Sequence, residues 1–249
     1  MKSIKNALDV LNSFTPEAHT QGVTEIAGKL GMHKSKVSRI LSALNAEGVV
    51  IKSEYNQKYR LGLKILDWAE VILSKSDLRN IALPNMEKLR QETRESIHLW
   101  VIQDDKRVCI EGIQGPQSVI MVVKIGSLFP IHAGAAGKVL FAYLPKNERD
   151  NLLKNLDLTK LTPKTIINKK KLEIELTNIR KQGYATSFEE RVSLGASIAC
   201  PIGNHTGEII AALSIDGLSA RFTPQKIKKF VRLLKRATTE LSEKLGYKD

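Results

Sequence analysis

Apolar residues recur at helical spacing through the first 45 positions, and then the period changes. Ile4, Ala7, Leu8, Leu11 and Phe14 fall on one stripe that ends at Thr15-Pro16, which predicts a helix over 4–14. Ile26, Ala27 and Leu30 make a second, shorter stripe, with Thr24 the expected N-cap. After the break Gly31-Met32-His33, a third stripe follows at Val37, Ile40, Leu41 and Leu44, stopped by Gly48. Val49–Ile51 and Tyr59–Leu61 then read as two short strands joined by the polar stretch 52–58. Three helices followed by a β-hairpin predict a winged helix-turn-helix.

Residues 62–76 return to helical spacing, with Leu63, Leu66, Ala69, Ile72 and Leu73 on one side and Trp68 near its edge. A mere spacer would be polar all round, so this stripe is expected to pack on its own domain or on the same helix of a second copy. A helix over 77–93 leads into strand-like runs at 96–102, 107–113 and 118–124. In the first, Ile97, Leu99 and Val101 alternate with Ser96, His98 and Trp100, which suits a sheet with one core face. Residues 132–144 read as a loop entering a helix, followed by helices at 146–156 and 170–182 and strands at 184–187, 197–202 and 209–215. Thr223-Pro224, an N-cap followed by proline at the first helical position, opens a last helix running to about Lys244. The expected fold is α+β with an antiparallel sheet. The expected division is a winged helix at 1–62, a linker and dimerisation helix at 63–77, and a larger domain at 78–249.

A hydrophobic fraction of 42% and a charged fraction of 26% belong to a soluble globular chain. No run has membrane-spanning length and the start lacks a signal-peptide core, so the expected location is the cytoplasm. The net charge of +13 favours a polyanionic partner. Residues 1–62 hold nine Lys and Arg against five Asp and Glu, a balance of +4, which leaves +9 for the rest of the chain. The basic excess is therefore spread out, and the motif carries more weight than the charge. Cys109 and Cys200 lie in separate apolar segments with no CxxC, so they are expected to be buried free thiols.

Lys34, Ser35, Lys36, Ser38 and Arg39 occupy the polar edge of the third stripe. In a reading helix such side chains meet phosphates or base edges, and Arg39 is the best placed for a bidentate contact. Lys52, Lys58 and Arg60 on the wing could reach phosphates beside the groove. The plain alternatives are a helical hairpin with a solvated basic face and a solvated hairpin tip.

GAAGKV at 134–139 is no phosphate-binding P-loop, because its glycines are too close and Val139 replaces the required hydroxyl. No GxSxG, HExxH or GxGxxG is present. His98, His132 and His205, even with Glu189 and Glu190, have no metal-ligand spacing, so neither metal nor cofactor is expected. The two glutamates are expected to orient a loop or pair with a basic neighbour. The basic face of the last helix (Lys226, Lys228, Lys229, Arg232, Lys235, Arg236) is expected to be solvated.

The winged head ending in YRLG (59–62), with IHAGAAGKVL (131–140), GYATSFEE (183–190) and SIACPI (197–202) followed by EIIAALSI (208–215), resembles the IclR family of bacterial transcription regulators over nearly the whole chain. The resemblance implies a C-terminal GAF-like effector domain, a homodimer or tetramer, double-stranded operator DNA and a small metabolite as partners, and a pocket between the sheet and the GAAGK-like segment. It places backbone amides of Ala135 and Ala136 at a helix N-terminus suited to a carboxylate. It also implies pocket positions for Ser187, Ser197, Ser214 and Asp216. The period of two puts Ser214 and Asp216 on one face of the last strand, opposite Ile209, Ala211, Leu213 and Ile215. Asp216 stands where many relatives carry a small polar residue. That leaves the ligand class open between a hydroxylated acid and an amine-bearing or aromatic compound.

The expected function is a ligand-responsive DNA-binding regulator, with repression the expected mode. Its rivals are a metabolite-processing enzyme with a helical N-terminal module and a protein-interaction adaptor.

Overall fold

The computed structural model describes residues 2–68 and 77–247. The chain divides into two compact units, 1–76 and 77–249. The first unit runs α1 (Lys2–Asn12), β1 (Thr20–Gln21), α2 (Val23–Leu30), α3 (Lys34–Ala46), β2 (Val50–Lys52) and β3 (Tyr59–Leu61). Its core is Val10, Ile26, Ala27, Val37, Leu41, Val50 and Tyr59, the three apolar stripes closed over by the hairpin. Burying each of the larger side chains contributes on the order of 2 kcal/mol.

Thr24 is not the N-cap of α2. The cap is Gly22, and its amide is accepted by the Glu25 carboxylate. A carboxylate at the third helical position satisfies the free donor, so no capping hydroxyl is needed. Gly31, at φ +62°, ends α2 and donates to the Ala27 carbonyl in a left-handed conformation that costs glycine little. Strand β1 was not foreseen, because two polar residues carry no periodic signal; it completes a sheet in the order β1-β3-β2. Helical structure begins again over 64–68, where Leu63, Leu66 and Trp68 are 69%, 62% and 50% exposed. The described part of the linker stripe is thus not buried in its own unit. Ala69, Ile72 and Leu73 lie outside the described residues.

The second unit runs α4 (Asp77–Thr93), β4 (Ser96–Gln103), β5 (Lys106–Ile113), β6 (Leu128–Pro130), α5 (Ala135–Tyr143), α6 (Lys146–Asn155), α7 (Lys169–Gln182), β7 (Ala185–Phe188), β8 (Gly195–Gly203), β9 (Ile209–Leu218) and α8 (Pro224–Lys244). The sheet is antiparallel in the order β6-β5-β4-β9-β8-β7. Both of its faces are covered, not one. Ile97, Leu99, Ile198, Leu213 and Ile215 pack with Met86 of α4 and Phe230, Leu234 and Leu241 of α8. Trp100, Cys109, Ala199 and Ala212 pack on the other side with Val139 and Phe141 of α5 and Leu172, Leu176 and Ile179 of α7. The polar residues alternating along β4 and β9 therefore point into a second buried layer.

Residues 118–124 do not form a strand. Their composition suits one, but β-propensity is expressed only against a partner, and the free edge of β5 pairs with 128–130 instead. Thr223 caps α8 as expected, accepting from the Lys226 amide, and the six residues of the helix's basic face (Lys226 to Arg236) are all exposed. Cys109 and Cys200 are buried free thiols on opposite faces of the sheet, each pushed up to about 12 mainly by burial. No helix among the described residues is long and apolar enough to cross a membrane.

Candidate functional site

A small cavity of about 20 Å³ lies where the start of α5 meets β4, β8 and β9, with room for about one water. Trp100, Arg107, Met121, Ala135, Ala136, Ser187, Glu190, Arg191, Ser197 and Asp216 line it. Arg107, on β5, is 3% exposed. Its guanidinium lies 4.8 Å from the Trp100 ring centroid, donates to the Ala133 carbonyl, and leaves Nε without a partner. The two glycines of the GAAGK segment make room for it. Gly134 sits at φ +88°, and a Cβ there would come within 2.7 Å of Arg107 Nη2; a Cβ on Gly137 would also collide with the guanidinium. Burial, then the nearby charge of Arg191, pushes Arg107 down to about 9, so it remains a cation at neutral pH. Arg191 stacks over Phe129 at 4.5 Å. Two guanidiniums with no acidic ion-pair partner among the described residues thus border one buried space.

Asp216 lines the same cavity. Its carboxylate accepts from His98 Nδ1 at 2.9 Å and from the Ser214 hydroxyl, which in turn accepts from Trp100 Nε1 at 2.8 Å. Burial opposes ionisation here, but the hydrogen bonds from His98 and Ser214 prevail and hold Asp216 below the usual carboxylate range. Its stabilising contribution is therefore complete above the ordinary carboxylate pKa and is lost as pH falls through the lower folded value. Asp216→Asn is expected to lower stability at neutral pH by about 1.5–3 kcal/mol. The gap to the unsubstituted protein should close in acid, read as Tm against pH. A gap that stays constant from neutral to strongly acidic pH would contradict the network. Ser214 bonds to a carboxylate and not to an imidazole, so there is no nucleophile–base contact here.

Below the cavity, Lys138 of α5 is 1% exposed. Its Nζ donates to Glu190 at 2.6 Å, Glu175 at 2.8 Å and the Thr186 carbonyl at 2.8 Å. Glu190 also accepts the Gly134 amide at 3.2 Å. Glu189 pairs with Lys164 at 3.0 Å, and Thr162 and Thr165 donate to the carbonyls of Glu189 and Glu190. The glutamate pair does fix a loop and find basic neighbours.

Of the six expected pocket residues, five line the cavity: Ala135, Ala136, Ser187, Ser197 and Asp216. Ser214 stands behind Asp216, fully buried. The Ala135 amide is already bonded to Ser197 Oγ at 3.2 Å, whereas Arg107 Nε has no partner. The histidines are dispersed: His98 bonds to Asp216, and His132 Nε2 to the Thr159 carbonyl. Trp100, Arg107 and Arg191 escaped the motif reading, and Lys138 entered it only within the rejected phosphate loop. Only the glycine spacing of GAAG hinted at a bulky group nearby.

On the winged unit, Lys34, Ser35, Lys36 and Arg39 are exposed on α3, with Ser35 Oγ 3.1 Å from His33 Nδ1. Ser38, Lys52 and Lys58 share a groove with Thr24 and Glu25. Arg60 stands apart, beside Phe14, Pro16 and His19. Lys58 is not free but paired with Glu25 at 2.7 Å.

The family model for the IclR helix-turn-helix domain matches residues 3–53, and that for the bacterial transcriptional regulator IclR C-terminal region matches residues 70–243. The chain belongs to the IclR family. It is 33% identical over 247 residues to the HTH-type transcriptional regulator XynR of Escherichia coli, covering 99% of this chain and 98% of that one. Against KipR of Bacillus subtilis the identity is 31%, covering 99% and 98%. The crystal structure of Thermotoga maritima IclR matches with a TM-score of 0.85 at 32% identity, covering 99% of this chain and all of that one. An IclR homologue from Microbacterium hydrocarbonoxydans complexed with 4-hydroxybenzoate shares the fold at TM-score 0.85 and 24% identity, covering 98% of each chain. This IclR-family chain is a DNA-binding transcription regulator with an effector domain, and the enzyme and adaptor readings fall.

Proposed function

We propose that this IclR-family regulator is a cytoplasmic repressor, a homodimer or tetramer, that releases its operator when a small carboxylic acid binds at Arg107 and widens the one-water cavity of the second unit to make room for itself. Residues 1–62 hold DNA through Lys34, Ser35, Lys36, Ser38 and Arg39, with Lys52, Lys58 and Arg60 on phosphates. Residues 63–77 join the units and help pair two copies, and 78–249 bind the acid. The observation that carries the ligand class is Arg107, a buried cation with an unpartnered Nε beside the start of a helix. Asp216, which lines the same cavity, accepts from a hydroxyl or amine on the same ligand. The relative bound to 4-hydroxybenzoate, an acid with a distal hydroxyl, supports this polarity, and the Salmonella relative named as the repressor AllR supports the mode.

A calorimetric screen of small hydroxy acids against their neutral amides tests the ligand class. Acids are expected to bind and amides not, with acid binding weakening above about pH 9 as Arg107 loses its proton. Equal binding of acid and amide would overturn it. On the DNA side, Arg39→Ala is expected to weaken operator binding by about 1–3 kcal/mol and leave acid binding unchanged. Unaltered operator affinity would remove Arg39 from the reading surface.

A further inference from the structure

The Glu25–Lys58 pair sits in a groove between the start of α2 and the wing, edged by Ser38 of α3, and it occupies a cation that the proposed function assigns to DNA. Glu25 has two tasks. One oxygen accepts the Gly22 amide and caps α2; the other binds Lys58 Nζ at 2.7 Å. The pair is open to solvent, with side-chain exposures of 50% for Glu25 and 40% for Lys58. Thr24, Ser38, Lys52, Asn56 and Gln57 line the same groove, about 430 Å³ in volume. A phosphate entering there meets a carboxylate already bound to its best cation.

We propose that Glu25 is a specificity-determining residue of the DNA-binding activity, an internal competitor that keeps Lys58 off DNA phosphates until a well-fitted site displaces it. On random DNA the phosphates lie too loosely at the groove to displace Glu25, and Lys58 stays with it. On the operator, the contacts of α3 bring a phosphate close enough to take Lys58. The competitor therefore suppresses non-specific affinity more than operator affinity, and the ratio of the two is what selects a site in a genome. This rests on the reading of Lys58 as a phosphate contact.

The test is the salt dependence of binding of the full chain to a fluorescent random-sequence duplex. Glu25→Gln is the informative variant, because glutamine at this position retains the cap on Gly22. Releasing Lys58 adds about one phosphate contact. That steepens the slope of log affinity against log salt by about 0.9 and tightens binding about eightfold at 0.1 M salt. Glu25→Gln with Lys58→Ala should cancel the gain. Glu47→Gln, which removes one charge at the far end of α3, should leave the slope unchanged.

The failures separate. If Glu25→Gln changes nothing while Lys58→Ala alone weakens binding, Lys58 reaches phosphate unhindered; the competitor is overturned and the phosphate reading stands. If the gain from Glu25→Gln survives Lys58→Ala, the effect is general repulsion, which overturns both. If neither substitution alters affinity or slope, both are likewise overturned.

Discussion

Replacing Lys138 with methionine is expected to destabilise the second unit by about 3–5 kcal/mol, the range for removing one member of a buried ion pair. Lys138 is 1% exposed and lies within 2.8 Å of Glu190, Glu175 and the Thr186 carbonyl. Its loss strands Glu190 in the interior, and Glu190 also holds the first amide of the α5 entry. Methionine fills most of the volume, so the loss reports charge and hydrogen bonding more than packing. The double substitution with Glu190→Gln removes the stranded charge and should recover part of the stability, a coupling visible in a double-mutant cycle of urea unfolding. A loss below about 1 kcal/mol, or strictly additive effects, would contradict the assigned role.

Arg107→Leu is expected to weaken acid binding by about 2–5 kcal/mol, at least thirtyfold in Kd. DNA affinity without acid should be unchanged. The sign for stability differs from that at Lys138. Burial pushes Arg107 down to about 9, which means the folded chain holds this charge at a cost. Replacing it with an apolar side chain removes that cost while giving up the stacking on Trp100 and the bond to Ala133. Stability is thus expected to change little while ligand affinity collapses. Both quantities come from one set of thermal scans with and without acid. A variant that keeps the acid-induced rise in Tm would show that the anion is held elsewhere.

The architecture was legible in the chain for a physical reason. Period 3.6 at Val37, Ile40, Leu41 and Leu44 and period two at Ile97, Leu99 and Val101 both arise from burying one side of an element, and both apolar sets lie on core-facing sides. The α8 start was legible because Thr223-Pro224 meets the helix's own orphan donors. Periodicity fails where a residue's fate is decided by distant neighbours. Residues 118–124 have strand composition but no ladder to join. Arg107 follows Asp104-Asp105-Lys106, where a charge reads as part of an exposed turn, and only Gly134 and Gly137, far along the chain, leave space to bury it. Lys138 looked like the lysine of a failed phosphate loop; its partners Glu175 and Glu190 are 37 and 52 residues away. Asp216 was legible as a polar residue sharing a face with Ser214, opposite the apolar side of the last strand, but neither the burial of that face nor the bond to His98, 118 residues away, was.

We propose that acid in the second unit sets the DNA affinity of the first. It is tested most directly by fluorescence anisotropy on the duplex upstream of the protein's own gene, with excess random DNA present and salt titrated. The expected result is saturable binding that survives the competitor, falls steeply with salt, and is weakened by the acid that binds the purified protein but not by its amide. Operator binding that stays the same at saturating acid would contradict it.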